Sequence, residues 1–209
     1  MRIASVQVGK PARIGELRTG FGKRPADGDV RIGRENLEGD GQADRRYHGG
    51  PDMAVLAYSA DHYPAWRAEL SWPVLPLGGF GENLSVEGAT EETACIGDVW
   101  RAGTAVLQIA SPRKPCQKLS AFWQRPDLLK LVERSGRFGW YLRVLEEGAL
   151  AAGAGIALAE RPHPEWTVAR AYQVGIARAR DRTTALELAQ VAALSDRWKA
   201  WLTGQPARV

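Results

Sequence analysis

TAVLQIASPRKPC, residues 104–116, joins a predicted strand to a cysteine-bearing loop. The apolar and β-branched residues at 104–110 predict the strand. The rest is a loop that two prolines stiffen and two cations crowd. This setting favours the thiolate of Cys116, the form of cysteine that acts as nucleophile and metal ligand. A packing cysteine in an ordinary turn gives the same pattern.

Further strands and short helices surround this segment in the sequence. Alternating runs predict strands at 3–8, 54–58 and 140–145. Helical spacing predicts helices at 62–70 and 127–134, the second with Pro126 at its first position. The many polar loops between short strands favour a barrel-like or sandwich core over a doubly wound sheet. We predict an α+β, β-rich fold with a β-barrel-like core.

Two prolines mark a boundary near residue 160. Pro162 and Pro164 interrupt the strand pattern, and helical spacing follows. Val168, Tyr172 and Ile176 recur every four residues, which predicts that they share one face of a helix. The core is therefore predicted to span residues 1–160.

Capping signals predict two more helices near the C-terminus. Thr184 followed by Glu187 matches a capping box and predicts a helix that runs to about residue 193. Ser195 is a predicted N-cap for a third helix, which ends before Gly204. Residues 161–209 are thus predicted to form a small three-helix appendage.

The composition is that of a soluble globular protein. No run approaches the eighteen apolar residues of a membrane helix, so no membrane partner is expected. Cys95 and Cys116 are too few for a disulfide framework, which predicts a cytoplasmic location. The formal net charge is +4, and the whole excess lies in 161–209, where eight Lys or Arg face four Asp or Glu. Such an excess suits an acidic partner or a solvated helix face.

A glycine-rich loop before residue 51 carries Arg45 and Arg46. Their guanidinium groups suit phosphate or carboxylate, and Gly49 and its neighbour permit the backbone of an anion-binding nest. A salt-bridged loop, in which Asp40 and Asp44 neutralise the arginines, fits the same residues.

Two other glycine loops match no nucleotide-binding motif. Residues 78–83 lack the spacing of a dinucleotide fingerprint, and no Ser or Thr follows Lys23 in the loop at 19–24. Asn83 is notable because its amide both donates and accepts hydrogen bonds.

The three histidines lack the spacing of a zinc hydrolase. A pair of Cys116 and His48 could act as nucleophile and base, if the fold brings the two together.

Six motifs occur in order along the chain. They are Gly39-Asp40-x-Gln42-Ala43-Asp44, His48-Gly49-Gly50, Phe80-Gly81-Glu82-Asn83-Leu84, Ile96-Gly97-Asp98, Pro112-Arg113-x-Pro115-Cys116 and Ser135-Gly136-Arg137-x-Gly139-Trp140-Tyr141. Together they resemble the MOSC domain, named for the C-terminal domain of molybdenum-cofactor sulfurase. More closely, the chain resembles the stand-alone bacterial YiiM-like branch. The resemblance covers nearly the whole chain, including the C-terminal helices.

The resemblance implies a site for the molybdenum cofactor, molybdopterin. The family's metal-ligating cysteine corresponds to Cys116, and a thiolate suits a soft metal centre. The residues expected to bind the rest of the cofactor are Arg45, Arg46, His48, Gly49, Asn83, Arg113 and Lys118. Phe80 and Arg137 are expected to contact substrate.

The resemblance also implies an activity. Relatives of this branch reduce N-hydroxylated compounds, including hydroxylamino-purine base analogues. Because two cysteines cannot hold an iron–sulfur cluster, a partner flavoprotein or iron–sulfur protein is expected to supply the electrons, and the basic helical region is a candidate docking surface.

Two other functions fit parts of the sequence. MOSC domains are also proposed to carry sulfur or deliver the cofactor, for which Cys116 would hold a persulfide. The last two helices could form a helix-turn-helix with Arg197 and Lys199 as DNA readers. Trp198 and Leu202 make that helix apolar, which favours docking on the core, so nucleic acid is not an expected partner.

Overall fold

The computed structural model describes residues 1–44 and 48–205 of the chain. The strands within these ranges are β1 (Arg2–Val8), β2 (Ala12–Ile14), β3 (Leu17–Thr19), β4 (Arg24–Pro25), β5 (Val30–Ile32), β6 (Val55–Ser59), β7 (Leu84–Glu87), β8 (Val99–Ala102), β9 (Ala105–Pro112), β10 (Trp140–Glu146), β11 (Gly148–Leu150) and β12 (Ile156–Glu160). The helices are α1 (Tyr63–Leu70), α2 (Lys118–Phe122), α3 (Leu128–Ser135), α4 (Val168–Ala177), α5 (Arg182–Ala189) and α6 (Asp196–Thr203). The α+β, strand-rich prediction is confirmed.

The main sheet has eight strands and curls into a half barrel. Its order is β12-β8-β9-β10-β6-β7-β1-β4. The β6–β7 pair is parallel, and the other pairs are antiparallel. The amide of Ile3 donates to the carbonyl of Ala154 (2.9 Å), and the amide of Ile156 donates to that of Met1 (2.9 Å). These bonds join β1 to the start of β12, near opposite edges of the sheet, and so curl it.

The central strands are buried along nearly their whole length. Every residue of β6 is buried, as are all of β9 except Gln108. A strand that alternated between core and solvent would be buried at every second residue only, so these two are covered on both faces. The loop that carries Cys116 therefore follows a strand that is buried along nearly its whole length.

The four strands predicted from alternation are confirmed as β1, β6, β9 and β10, with ends shifted by one or two residues. Helices α1 and α3 are also present. However, the N-cap of α3 is Asp127, so Pro126 precedes the helix instead of occupying its first position.

The first C-terminal helix follows its predicted pattern for two turns. Thr167 caps α4 by accepting a hydrogen bond from the amide of Arg170 (3.1 Å), and Val168 and Tyr172 are buried. Ile176 also lies in α4, but it is 55% exposed.

The N-cap of the second helix lies three residues before the predicted one. The carboxylate of Asp181 accepts a hydrogen bond from the amide of Thr184 (3.1 Å), and α5 spans Arg182–Ala189. Thr184 is therefore the residue whose amide is capped, not the cap, because Asp is as good an N-cap and lies three residues earlier. For α6 the prediction is confirmed, with Ser195 as N-cap and Gly204, at φ +73°, after its last turn.

The C-terminal helices pack directly on the strands. The rings of Phe138 and Tyr172 stack 4.0 Å apart, and the amide of Ser195 donates to the carbonyl of Ala110 in β9 (2.9 Å). Buried residues of both regions form one apolar cluster. The division at residue 160 remains a prediction. None of the helices in the described part of the chain has the length and apolar character to cross a lipid bilayer.

Candidate functional site

The cysteine-bearing loop opens into a cleft at one end of the half barrel. The cleft encloses about 670 Å³ of empty space, its open mouth included. Its walls come from the loop after β3, the segment between β5 and β6, the residues just before β7, and the loop after β9.

Six of the predicted site residues meet in this cleft, although they are far apart in sequence. They are His48, Gly49, Asn83, Arg113, Cys116 and Lys118. Arg45 and Arg46 lie outside the described residues. Phe80 and Arg137 do not line the cleft.

Arg113 places a buried cation against the cleft. Its backbone amide donates to the carbonyl of Gly139 (3.0 Å), which continues the pairing of β9 with β10 by one step. Its side chain is buried, and its Nη1 has no hydrogen-bond acceptor among the described residues. A buried guanidinium without an acceptor is costly. The arrangement therefore fits a negatively charged ligand that supplies the acceptor.

Cys116 is half-buried in the cleft wall. Its carbonyl accepts the amide of Leu119 (3.0 Å), which ties the loop to α2. In the described ranges, no three His, Cys, Asp or Glu side chains cluster closely enough to hold a metal ion. The free, half-buried thiol of Cys116 is in a position to supply one ligand to a metal held in the cleft.

His48 faces the same cations. Burial, followed by the nearby positive charges of Arg113 and Lys118, lowers the pKa of His48 below its ordinary value near 6.5. The imidazole is therefore neutral at pH 7. His48 and Cys116 line one cleft, but no hydrogen bond joins them in the described structure.

Lys118 adds a positive charge at the start of α2. No carboxylate of the described residues lies within ion-pair distance of it. With Arg113 it gives one wall of the cleft a strong preference for anions.

Sequence reasoning missed a buried ion pair in the opposite wall. Lys23 and Asp40 form a salt bridge, and both side chains are almost fully buried. Burial lowers the pKa of Lys23, and the adjacent Asp40 carboxylate opposes this shift. Nothing in the spacing of a lysine at 23 and an aspartate at 40 signals that the two meet.

Asn83 supports this pair, and its amide is already engaged. Its Nδ2 donates to Asp40 Oδ2 (2.8 Å) and to the carbonyl of Gln7 (3.2 Å), while its Oδ1 accepts the amide of Leu56 (3.1 Å). Both N–H donors are therefore used within the protein. Asn83 lines the cleft, but its side-chain hydrogen bonds go to other protein groups and hold this part of the cleft wall in place.

One side of the cleft is aromatic. Phe21 lines it, and its ring stacks on that of Phe122 with centroids 5.5 Å apart. Gly81, at φ +81°, also packs against the Phe21 ring, because a Cβ at this position would lie 2.9 Å from that ring. The lining of the cleft thus combines cationic residues with apolar ones, which also include Met53 and Leu56.

The two residues predicted to contact substrate have other partners. Phe80 is almost fully buried and stacks on Tyr58 at 4.4 Å. Arg137 forms an ion pair with Glu69 (2.7 Å) and lies over the ring of Trp66 at 4.5 Å. Their predicted role gains no support from this cleft.

Comparisons with known proteins agree with the fold and identify the family. A family model described as the MOSC domain matches residues 44–157. An uncharacterised protein YflK of Bacillus subtilis (strain 168) is 43% identical over 202 residues, 95% of this chain and 91% of that protein. A protein of Gibberella moniliformis named reductase is 38% identical over 183 residues; the match covers 85% of this chain but only 32% of that protein. The crystal structure of YiiM from Geobacillus stearothermophilus has a TM-score of 0.84 at 33% identity, with 97% of each chain covered.

Proposed function

Because this chain belongs to the MOSC domain family and is similar to YiiM, we propose that its cleft binds the molybdenum cofactor and that the protein reduces N-hydroxylated compounds. The observation that carries the proposal is the buried Arg113 Nη1 without an acceptor, beside Cys116 in one cleft. The relative named reductase supports the reaction class.

The residues in the cleft fit the chemistry of this cofactor. Cys116 offers a thiolate, the ligand type that a soft metal centre prefers. Arg113 and Lys118 offer donors to the phosphate and the polar edges of the pterin. Gly49, at φ +104°, leaves the backbone open to a close ligand.

Reduction of an N-hydroxylated compound breaks the N–O bond, consumes two electrons and two protons, and yields an amine and water. When bound, the molybdenum centre supplies two-electron oxygen-atom transfer. The protein's own residues bind the substrate and manage the protons. Apolar lining residues such as Met53 and Leu56 offer contact surface to the ring of a substrate, and neutral His48 can carry a proton between solvent and the cleft.

The electrons come, in this proposal, from a partner flavoprotein or iron–sulfur protein. Neither cysteine pairs with another sulfur, and a cluster needs about four sulfur or nitrogen ligands. A one-chain electron path to NAD(P)H is therefore not expected.

The proposal is tested with cofactor-loaded protein and a hydroxylamino-purine. We expect amine formation with reduced methyl viologen as an artificial donor and none with NAD(P)H alone. Loaded protein that fails with reduced viologen would contradict the reductase function. A Cys116 persulfide in molybdenum-free protein, detected by mass spectrometry, would then favour the sulfur-carrier function. Turnover with NAD(P)H alone would contradict the need for a partner.

A further inference from the structure

We propose that helix α6 positions the Cys116 loop through a contact between Trp201 and the side chain of Lys114. The inference rests on the proposed function in one respect only: the proposed function explains why the loop must place Cys116, as a metal ligand. The contact gives the C-terminal helices a structural role. These helices lie beyond the residues that the MOSC family model matches.

The contact is a close cation–π interaction. Lys114 Nζ lies 3.9 Å from the centroid of the Trp201 ring, and the guanidinium carbon of Arg178 lies 4.3 Å from the same centroid. Both distances are well inside the 6 Å over which such contacts are attractive. Burial, followed by the charge of Arg178, lowers the pKa of Lys114, which agrees with a partly desolvated ammonium group.

The Trp201 ring is itself held in place. It meets the ring of Trp198 edge-on, with centroids 4.9 Å apart. Both rings press against Gly175 of α4, where a Cβ would lie 2.4 Å from Trp201 and 2.7 Å from Trp198. Only glycine leaves room at this helix crossing. Trp201 is therefore a fixed surface for Lys114.

The start of α6 is anchored at the cleft by other bonds. The amide of Ser195 donates to the carbonyl of Ala110, in the strand that leads into the cysteine loop (2.9 Å). The amide of Asp196 donates to Asp52 Oδ2 (3.3 Å), and Arg197 Nη1 reaches Met53 Sδ at 3.8 Å. The helix thus contacts the framework on both sides of the loop.

Restricting Lys114 restricts Cys116 as well. The two residues are separated only by Pro115, whose ring fixes one backbone torsion angle. A loop held at Lys114 on one side and at the carbonyl of Cys116 on the other has little freedom to swing the thiol away from the cleft. Trp201 is accordingly a positioning residue, which acts through Lys114.

The test measures alkylation of Cys116 by neutral iodoacetamide in the full-length, cofactor-free protein, followed by peptide mass spectrometry. Rates are compared on the high-pH plateau where the thiol is fully ionised in every variant, so that loss of the Lys114 charge does not itself change the thiolate fraction. We expect Trp201→Leu and Lys114→Met each to raise the rate about twofold to tenfold, as expected for loss of one cation–π contact. The double variant should react no faster than the faster single one, because both changes break the same contact. Trp201→Phe, which keeps an aromatic face, should stay near the wild-type rate.

Arg178→Met is the matched control, since Arg178 contacts the same ring but does not belong to the loop. It should leave the rate unchanged. An unchanged rate in Lys114→Met, multiplicative effects in the double variant, or an equal increase in Arg178→Met would each overturn the inference. Should Trp201→Leu fail to fold, Trp201→Phe and Lys114→Met decide the question alone. The assay uses no molybdenum and no substrate, so its failure leaves the proposed function standing.

Discussion

A single side chain, Arg113, gives the strongest indication of a ligand at the residue scale. A buried guanidinium is normally bound by a carboxylate or by several carbonyls. Arg113 Nη1 has neither among the described residues and borders a cleft. Sequence identified Arg113 through its motif, but the missing acceptor, which explains the need for a ligand, is visible only in three dimensions.

His48 provides a test of the cationic wall. Because the charge of Lys118 disfavours a second positive charge nearby, removing it in Lys118→Met should raise the pKa of His48 toward its ordinary value. Titration of the His48 ring by NMR in the cofactor-free protein measures this directly.

Lys130→Met, on the exposed face of α3, removes an equal charge outside the cleft and should leave the titration unchanged. The direction of the His48 pKa shift also determines how the stability of the protein depends on pH. The unfolded chain binds a proton to His48 at a higher pH than the folded protein does, so stability falls as the pH drops through about 6.5 toward the lowered pKa. A His48 pKa that stays the same or falls in Lys118→Met would contradict the assigned electrostatics.

The residues that sequence reasoning missed share a cause. Lys23 belongs to none of the six motifs, and the motif that contains Asp40 does not indicate its partner. Their pairing depends on how two loops fold back toward β1. Phe80 belongs to a recognisable motif, yet that motif serves folding. Its neighbour Glu82 is fully buried and accepts hydrogen bonds from Tyr63 Oη (2.5 Å) and the amide of Gly78 (2.8 Å). A motif shows that residues matter, not whether they bind a ligand or shape a loop.

At the scale of elements, Asn83 links strands β1, β6 and the start of β7. Asn83→Ala removes the acceptor for the amide of Leu56 and the donors to Gln7 and Asp40. Because a buried polar group that loses its partner keeps its desolvation cost, we expect a loss of about 2–3 kcal/mol in the free energy of unfolding. Urea denaturation followed by circular dichroism measures it.

Asn36→Ala is the matched control for this prediction. The Oδ1 of Asn36 has no hydrogen-bond partner among the described residues, so its removal should cost less than about 1 kcal/mol. Equal losses in the two variants would show that Asn83 stabilises the protein by its packing alone.

Element boundaries were predictable where local chemistry decides them. Ser195 and Gly204 delimit α6 as their residue types suggest. The prediction failed for α5 because two good caps, Asp181 and Thr184, lie three residues apart and sequence alone does not rank them. The strand β9 was predictable from its apolar run, whereas its place in the middle of the sheet depends on distant pairings.

At the scale of the whole molecule, several basic side chains of the C-terminal region donate hydrogen bonds to backbone carbonyls within the protein. Arg182 donates to the carbonyls of Leu202 and Thr203 (2.8 Å each), and Arg170 donates to that of Glu165 (2.8 Å). Lys199, one of the two candidate DNA readers, donates to the carbonyl of Ala192 (3.0 Å). These bonds complete helix ends and loops. A count of charges could not separate this use from docking of a partner.

The shared apolar cluster predicts how the protein unfolds. Because Phe138 of the predicted core stacks on Tyr172 of the predicted appendage, we expect one cooperative transition for the whole chain. Scanning calorimetry should give a van't Hoff enthalpy equal to the calorimetric enthalpy. An earlier, separate melting of the C-terminal helices would instead support two independent units at residue 160.

The central claim is that Cys116 holds the molybdenum cofactor in the cleft. The most direct measurement is the molybdenum and pterin content of wild-type protein, Cys116→Ser and the control Cys95→Ser, produced together in cofactor-competent cells. Cys95 is buried away from the cleft, so its variant should retain the wild-type content. We predict that Cys116→Ser loses most of its molybdenum. Equal molybdenum in Cys116→Ser and wild type would contradict the account.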